Sequence, residues 1–261
     1  MRKQVSFVFA YVELNLSSAM EYRAAFISQT VGMMVNDAMV LVFWWLFFQR
    51  FPLVGSWTLQ DVLRLWGVVA VAFGLAMGIF GNCPRLAFMI ARGQLDYYLA
   101  LPKDALLHAL VSRMSSSAWG DVLFGVVAFL VAGGLSPLKL LLFLALACAG
   151  CAVYVAYSVL VGSLAFWFGN AETLASQSSA ALINFSTYPG SIFQGWVKLL
   201  TFTLLPAAFI GHVPVDQLRN PSLLPILGVF AFAAGSSALA AGAFRFGLRR
   251  YQSGNLVQLQ G

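Results

Sequence analysis

The sequence predicts an all-α membrane protein with six transmembrane helices. An N-terminal amphipathic helix lies in the membrane interface, and a re-entrant or interfacial helical segment precedes the last span. Three observations carry this. Of the 261 residues, 61% are apolar and 9% charged, against about 45–50% and about 25% in soluble domains. Mean hydropathy is +0.84, so the chain has too little polar surface to cover itself in water. The apolar stretches are long and continuous, whereas a membrane strand alternates apolar and polar residues over about ten positions. A helical bundle follows, not a barrel.

The first element covers residues 1–23. Val5, Val8, Phe9, Val12, Leu16, Ala19 and Met20 recur at helical spacing, and Gln4, Glu13, Asn15, Ser17 and Glu21 fall largely opposite. That pattern fits a helix lying flat in the interface, anchoring the chain or packing on a partner protein. Glu13, Glu21 and Arg23 interrupt what a signal peptide would keep apolar.

A span needs about 20 apolar residues, so the gaps between charges locate the spans. Residues 24–49 contain only Asp37, 65–84 no charge, and 114–138 only Asp121; 140–171, 173–197 and 220–244 are free of charge. The interval 199–215 is shorter and broken by Pro206, Gly211 and Pro214, so 190–219 reads as a re-entrant or extracytoplasmic segment. Basic residues flank both ends of the chain, which calls for an even number of spans with both termini cytoplasmic. Six spans divide the basic residues ten inside to five outside. This asymmetry accounts for the net charge of +6 without a nucleic-acid partner.

The longest hydrophilic stretch, 82–113, is half apolar. Leu86, Met89 and Ile90 form a short helical stripe, Gly93 breaks it, and Pro102 with Asp104 restarts a helix expected to run on into span three. The stripe would rest on lipid or present an apolar ridge to a cytosolic partner. Nothing in the chain reads as a separate soluble domain, so residues 1–261 form one membrane domain.

Several chemistries have no motif here. There is no phosphate-cradling G-x-x-x-x-G-K-[ST] loop, no H-E-x-x-H and no G-x-S-x-G, so the chain does not read as an enzyme. Cys148 and Cys151 have CxxC spacing but sit in an Ala/Leu/Gly run, where packing explains them better than a redox or metal pair. Gly74 and Gly78, and the small residues of the last span, allow close helix approach within one bundle or between subunits. Asp37, beside Asn36, and Asp121 are different. Charges at membrane depth are costly, so these residues either make helix–helix hydrogen bonds, pair with an interfacial arginine, or line a polar route or proton relay.

Several short motifs, in order, resemble ABC-2 type transporter permeases, the membrane subunits of one class of ATP-driven exporters. Glu21-Tyr22-Arg23-Ala24 joins the amphipathic helix to span one. Gly93-Gln94-Leu95-Asp96-Tyr97, followed by Pro102, occupies the loop between spans two and three. Ser117-Ala118-Trp119-Gly120-Asp121, Tyr188-Pro189, Gly195-Trp196 and Arg249-Arg250-Tyr251 follow. Asn36-Asp37 departs from the family impression of a more purely apolar first span and leaves open an unusual substrate path.

The resemblance implies export of a hydrophobic or amphipathic substrate from the bacterial cytoplasmic (inner) membrane. It implies a second permease copy or related permease, and two copies of a cytosolic ABC ATPase. ATP and Mg would sit on that ATPase, leaving this chain without a cofactor. The 82–113 loop would touch the ATPase through Arg85, Arg92, Gly93, Leu95, Asp96, Tyr97 and Pro102. The alternatives are a proton-coupled secondary transporter using Asp37 and Asp121, and a structural scaffold; no internal repeat of the kind seen in secondary transporters stands out.

Overall fold

The computed structural model describes residues 2–251, with side chains from residue 4 onward. The Arg2 and Lys3 side chains, counted above among the basic residues, therefore lie outside the described part. The elements are α1 (Arg2–Glu21), α2 (Arg23–Arg50), α3 (Leu59–Ile79), α4 (Leu86–Ala91), α5 (Leu95–Leu99), α6 (Ala105–Val111) and α7 (Ala118–Val131). They continue with α8 (Pro137–Ser163), α9 (Ala165–Phe168), α10 (Glu172–Thr187), α11 (Gly195–Phe202), α12 (Ala207–Ile210), α13 (His212–Arg219) and α14 (Leu223–Leu248). No strand occurs among the described residues. Arg23–Arg50, Leu59–Ile79, Pro137–Phe168 and Leu223–Leu248 are each long and apolar enough to cross a membrane. The pair Gly195–Phe202 and Ala207–Arg219 passes only as one unit, bent by 65°. The protein is thus an all-α, multi-pass membrane protein.

Contacts sort the loops into two ends of the bundle. At one end Tyr11 hydrogen bonds to His108 on α6, Gly81 N donates to the Arg113 carbonyl and Arg245 pairs with Asp104 at 3.6 Å. At the other, Arg64 donates to the Ala132 carbonyl, Ser191 Oγ to the Val54 carbonyl, and Arg219 pairs with Asp61. The beginning and end of the described chain therefore meet at the same end.

The centre of the bundle is α3, buried along most of its length between α7 and α8. Against α7 its glycines remove the side-chain layer: a Cβ at Gly67 would lie 2.9 Å from the Gly125 carbonyl oxygen, and one at Gly74 would lie 2.7 Å from that of Ala118. Close backbone approach maximises dispersion contact where lipid supplies no hydrophobic drive between helices. Toward α8, Phe73 meets Tyr154 edge-on at 4.5 Å between ring centroids.

The start of α3 differs from the charge-gap expectation. The helix begins at Leu59, before Arg64, because Asp61 closes a capping box with Thr58 and takes ion pairs from Arg64 and Arg219. Charges that neutralise one another need not delimit a span. The Arg219 guanidinium also lies over Trp57, 4.6 Å from the ring centroid. This network ties the bent pair α11–α13 to the head of α3.

The 82–113 loop corrects two expectations. Leu86, Met89 and Ile90 are neither on lipid nor free for a partner, being 0%, 4% and 0% exposed. The stripe faces inward because α4 packs against α8, where Gly162 admits Leu86. The helix restarted by Asp104, whose side chain caps Leu107 N at 3.0 Å, stops at Val111 instead of running into the third span. Ser115 and Ser117 bond each other and Ser115 N turns to the Met77 carbonyl, so local side-chain bonding competes with the helix there.

Replacing Gly74 with Val should separate α3 from α7. Overpacking of this kind costs about 1–3 kcal/mol, so the thermal midpoint in detergent should fall. Gly228→Val, at a site with nothing within 4 Å of a Cβ, should leave it unchanged.

Candidate functional site

Between α2, α3, α7 and α10 lies a cavity of about 400 Å³. Asn36 and Asp37 enter it from the midpoint of α2, and Asp121 from the first turn of α7. The two sequence-predicted carboxylates are thus brought together in the wall of one cavity, where each acts on the other. Their meeting depends on Gly120: a Cβ there would collide with the Thr30 carbonyl oxygen and lie 2.9 Å from Met33 Cβ. Without a side chain at 120, α7 lies directly on α2, and Thr30 Oγ1 donates to the Ser116 carbonyl at 3.3 Å.

Asp37 is 5% exposed, and its Oδ2 finds no donor among the described protein groups. The indole Nε1 of Trp66, on the α3 wall, is also buried without a partner. Two facing carboxylates at this depth need a proton or a cation between them. The arrangement excludes pairing with an interfacial arginine as the role of Asp121: Arg113 is exposed, and Asp121 faces Asp37.

Composition alone did not single out Trp66, Asn184 or Thr187, which complete the cavity. The signal was present as isolated polar residues inside otherwise apolar segments. Asn36 and Asn184 are exposed at the mouth, between α2 and α10.

At the end where the described chain begins and ends, the residues expected to form the loop's contact surface divide. Arg85, Arg92, Tyr97 and Pro102 are exposed, Tyr97 to 66%. Leu95 is fully buried and anchors α5. Gly93 has φ +70°, a left-handed conformation that reverses the chain between α4 and α5. Asp96 is half-buried beside Tyr251, whose phenol is pushed up by burial and by that carboxylate. The exposed members form a surface; the buried ones shape it.

Helix α1 docks on the same loop system. Its half-buried face includes Phe7, Val8, Tyr11, Asn15 and Leu16, while Val5, Phe9 and Met20 from the sequence-read apolar stripe are exposed. Polar contacts set this rotation: Tyr11 bonds His108 Nε2 and Asn15 Nδ2 donates to the Val111 carbonyl at 3.1 Å. Phe7 and Tyr98 pack edge-on against the His108 ring.

A multi-pass helical bundle, with a cavity that holds two carboxylates among apolar helices and a compact layer of short helices at one end, fits a membrane-embedded transport subunit. A family model described as ABC-2 family transporter protein matches residues 34–255, and the chain belongs to that family as an ABC-2 type permease. No curated protein and no solved structure matches the chain. The match begins inside α2, so it covers both carboxylates and the whole 82–113 loop, while α1 precedes it.

Burial holds the His108 pKa below the usual histidine value, and its Nδ1 is buried without a partner. Protonation would leave a buried N–H without an acceptor. A depressed histidine stabilises the fold above its unfolded value of about 6.5, and that contribution is lost as pH falls toward the folded value. Amide exchange in α1, corrected for intrinsic rate, should therefore quicken between pH 7.5 and pH 5.5 (roughly one unit either side of that value). His108→Gln should remove the pH dependence.

Proposed function

We propose that this chain is the membrane-spanning permease subunit of an ABC-2 transporter that exports a hydrophobic or amphipathic substrate, powered by a separate ATPase. Membership of the family across residues 34–255 carries this reading. ATP and Mg would be bound by two copies of the cytosolic ATPase, and conformational work would reach this chain through contacts. The chain would sit in a bacterial cytoplasmic membrane with both termini inside.

The six spans would be α2, α3, α7, α8 with α9, α10, and α14. Helices α7 and α10 have 14 and 16 residues, short of the roughly 20 needed for an average bilayer. Local thinning of the bilayer accommodates such lengths at modest cost. The meeting of α1, α6 and α14 at one end supports an even count. On this reading α11–α13 stays on the outer side.

The coupling surface would be the exposed rim of the 82–113 loop. Tyr97 supplies an aromatic anchor, and Arg85 and Arg92 supply charge that fixes register. The buried Leu86, Met89 and Ile90 would transmit motion from that rim to α8 instead of touching the ATPase themselves. A second permease would cover the α2–α10 face, because Asn36 and Asn184 make a polar mouth at a depth where lipid solvates amides poorly. The facing carboxylates are also what a proton relay would use, but family membership favours ATP as the driving force.

Affinity purification of the full chain should bring an ABC ATPase with it. Replacing Arg92 with Glu and Tyr97 with Ala together should leave membrane insertion and thermal midpoint unchanged, since both side chains are exposed. The ATPase should be lost, because truncating an aromatic anchor at such a contact costs about 2 kcal/mol or more. Retention of the ATPase at wild-type level would remove this rim from the interface.

A further inference from the structure

We propose that the groove between α8, α14 and the bend that joins α11 to α12 is a lipid site: it holds an acyl chain of an anionic membrane phospholipid, whose phosphate is taken by Arg249 and Arg250. The site lies on a different face from the α2–α10 mouth assigned above to a second permease, and it does not depend on what the chain transports.

The groove has a volume of about 810 Å³, within the range of small-molecule sites, about 300–1,000 Å³. Leu160 and Leu164 on α8, Phe232 and Leu239 on α14, and Leu204 and Pro206 at the bend make its walls apolar. Its serine and threonine hydroxyls are already engaged. Ser163 donates to the Val159 carbonyl, Thr203 to that of Leu199 and Ser236 to that of Ala233. A polar ligand body would give up its own hydrogen bonds to water there, whereas an alkyl chain has none to lose. Leu204 and Leu239 are 70% and 64% exposed, so the groove opens outward from the bundle along its side. On α14 it runs from Ala231 to Ala243, about 18 Å at the helical rise per residue. That is comparable with one leaflet, half of a hydrocarbon core about 30 Å thick.

One end of the groove decides the kind of lipid. Trp167 lines that end, stacked on Phe246 with 5.9 Å between ring centroids. The same indole walls a smaller hollow of about 120 Å³ together with Arg250 and Tyr251. Arg249 and Arg250 are exposed in the turn after α14, and among the described residues neither has an ion pair, whereas Arg245, one turn earlier, is held by Asp104. No Asp or Glu lines the groove or the hollow. Arg250 follows the last groove residue of α14, Ala243, by about 10 Å of helical rise. An apolar channel that ends at guanidinium groups with no counter-ion matches a molecule with an alkyl chain and an anionic head. Guanidinium binds phosphate through two parallel hydrogen bonds, and indoles favour the headgroup level of a bilayer. A choline headgroup would bring a second positive charge to the same arginines, so charge complementarity selects a phospholipid with net negative charge.

The test uses the full chain in mild detergent, titrated with phosphatidylglycerol or phosphatidylcholine of identical acyl chains, each carrying a diazirine near one chain end. Native mass spectrometry counts the lipids retained, and peptide mapping after photolysis locates them. Phosphatidylglycerol should reach half-saturation at about a tenfold lower concentration than phosphatidylcholine, the order expected from two arginines at the headgroup. Its diazirine should label α8, α14 or residues 203–206. The double variant Arg249→Gln, Arg250→Gln should bring phosphatidylglycerol to the level of phosphatidylcholine and leave the latter unchanged. Gly235→Leu places a side chain in the groove, at a position where a Cβ meets nothing within 4 Å, and should weaken both lipids while the chain still elutes as the wild type does. Inorganic phosphate at the same concentrations should release neither lipid; release would mean that the arginines bind a free anion and the groove contributes nothing. Equal retention of the two lipids, an undiminished preference in the arginine variant, undiminished binding in Gly235→Leu, or labelling elsewhere on the chain would each overturn the proposal. If the arginine variant does not accumulate, the wild-type comparison, Gly235→Leu and the labelling map decide without it.

Discussion

Gly120 allows α7 to lie on α2 with no side chain between them, and the cavity exists because of that contact. Any Cβ at 120 would meet the Thr30 carbonyl and Met33, pushing Asp121 away from Asp37. On the other side of α7, Gly125 meets the backbone of α3, where Gly67 and Gly74 are equally bare. One helix of 14 residues is thus gripped on two faces through its glycines. In lipid, where apolar side chains gain nothing by leaving their surroundings, such backbone contact is a main source of helix association. The cavity that holds the two carboxylates is framed by this close backbone packing.

The two ends of the bundle are built by different physics. At the end with α13, Asp61 gathers Thr58, Arg64 and Arg219, with Trp57 beneath the guanidinium. This pins the bent α11–α13 pair to the core and offsets the cost of charges near the membrane. At the other end the contacts are neutral hydrogen bonds and ring packing among Phe7, Tyr11, Tyr98 and His108. An exposed Arg245–Asp104 pair adds little. The first end is clamped, and the second, which carries the proposed coupling rim, is held by contacts easier to rearrange.

Much of this was legible in the sequence. Continuous apolar runs marked the long helices, and Pro206, Gly211 and Pro214 marked the bent segment. Asp37 and Asp121 stood out because charge is rare at depth, and both line the cavity. Other features were not legible, for physical reasons. The Leu86, Met89 and Ile90 stripe looks the same whether it faces lipid, a partner or α8; only the packing against Gly162 chooses. Arg64 reads as a boundary charge because the pairing of its neighbour Asp61 with Arg219, 158 residues away, leaves no trace in a charge gap. The rotation of α1 follows Tyr11 and Asn15, whose partners on α6 no periodicity reveals. Trp66 counted as one more apolar residue until its indole nitrogen proved to be buried and unbonded.

On the proposed function, Asn36 beside Asp37 faces another permease across a transport path, not lipid. Asn36 is exposed at the midpoint of α2, so a cysteine placed there reports directly. In a chain with Cys83, Cys148 and Cys151 replaced, Asn36→Cys should form an intermolecular disulfide on mild oxidation in native membranes and run as a covalent dimer. A monomer under those conditions, with the cysteine reached by lipid-soluble but not water-soluble maleimides, would show that this face meets lipid and contradict the account.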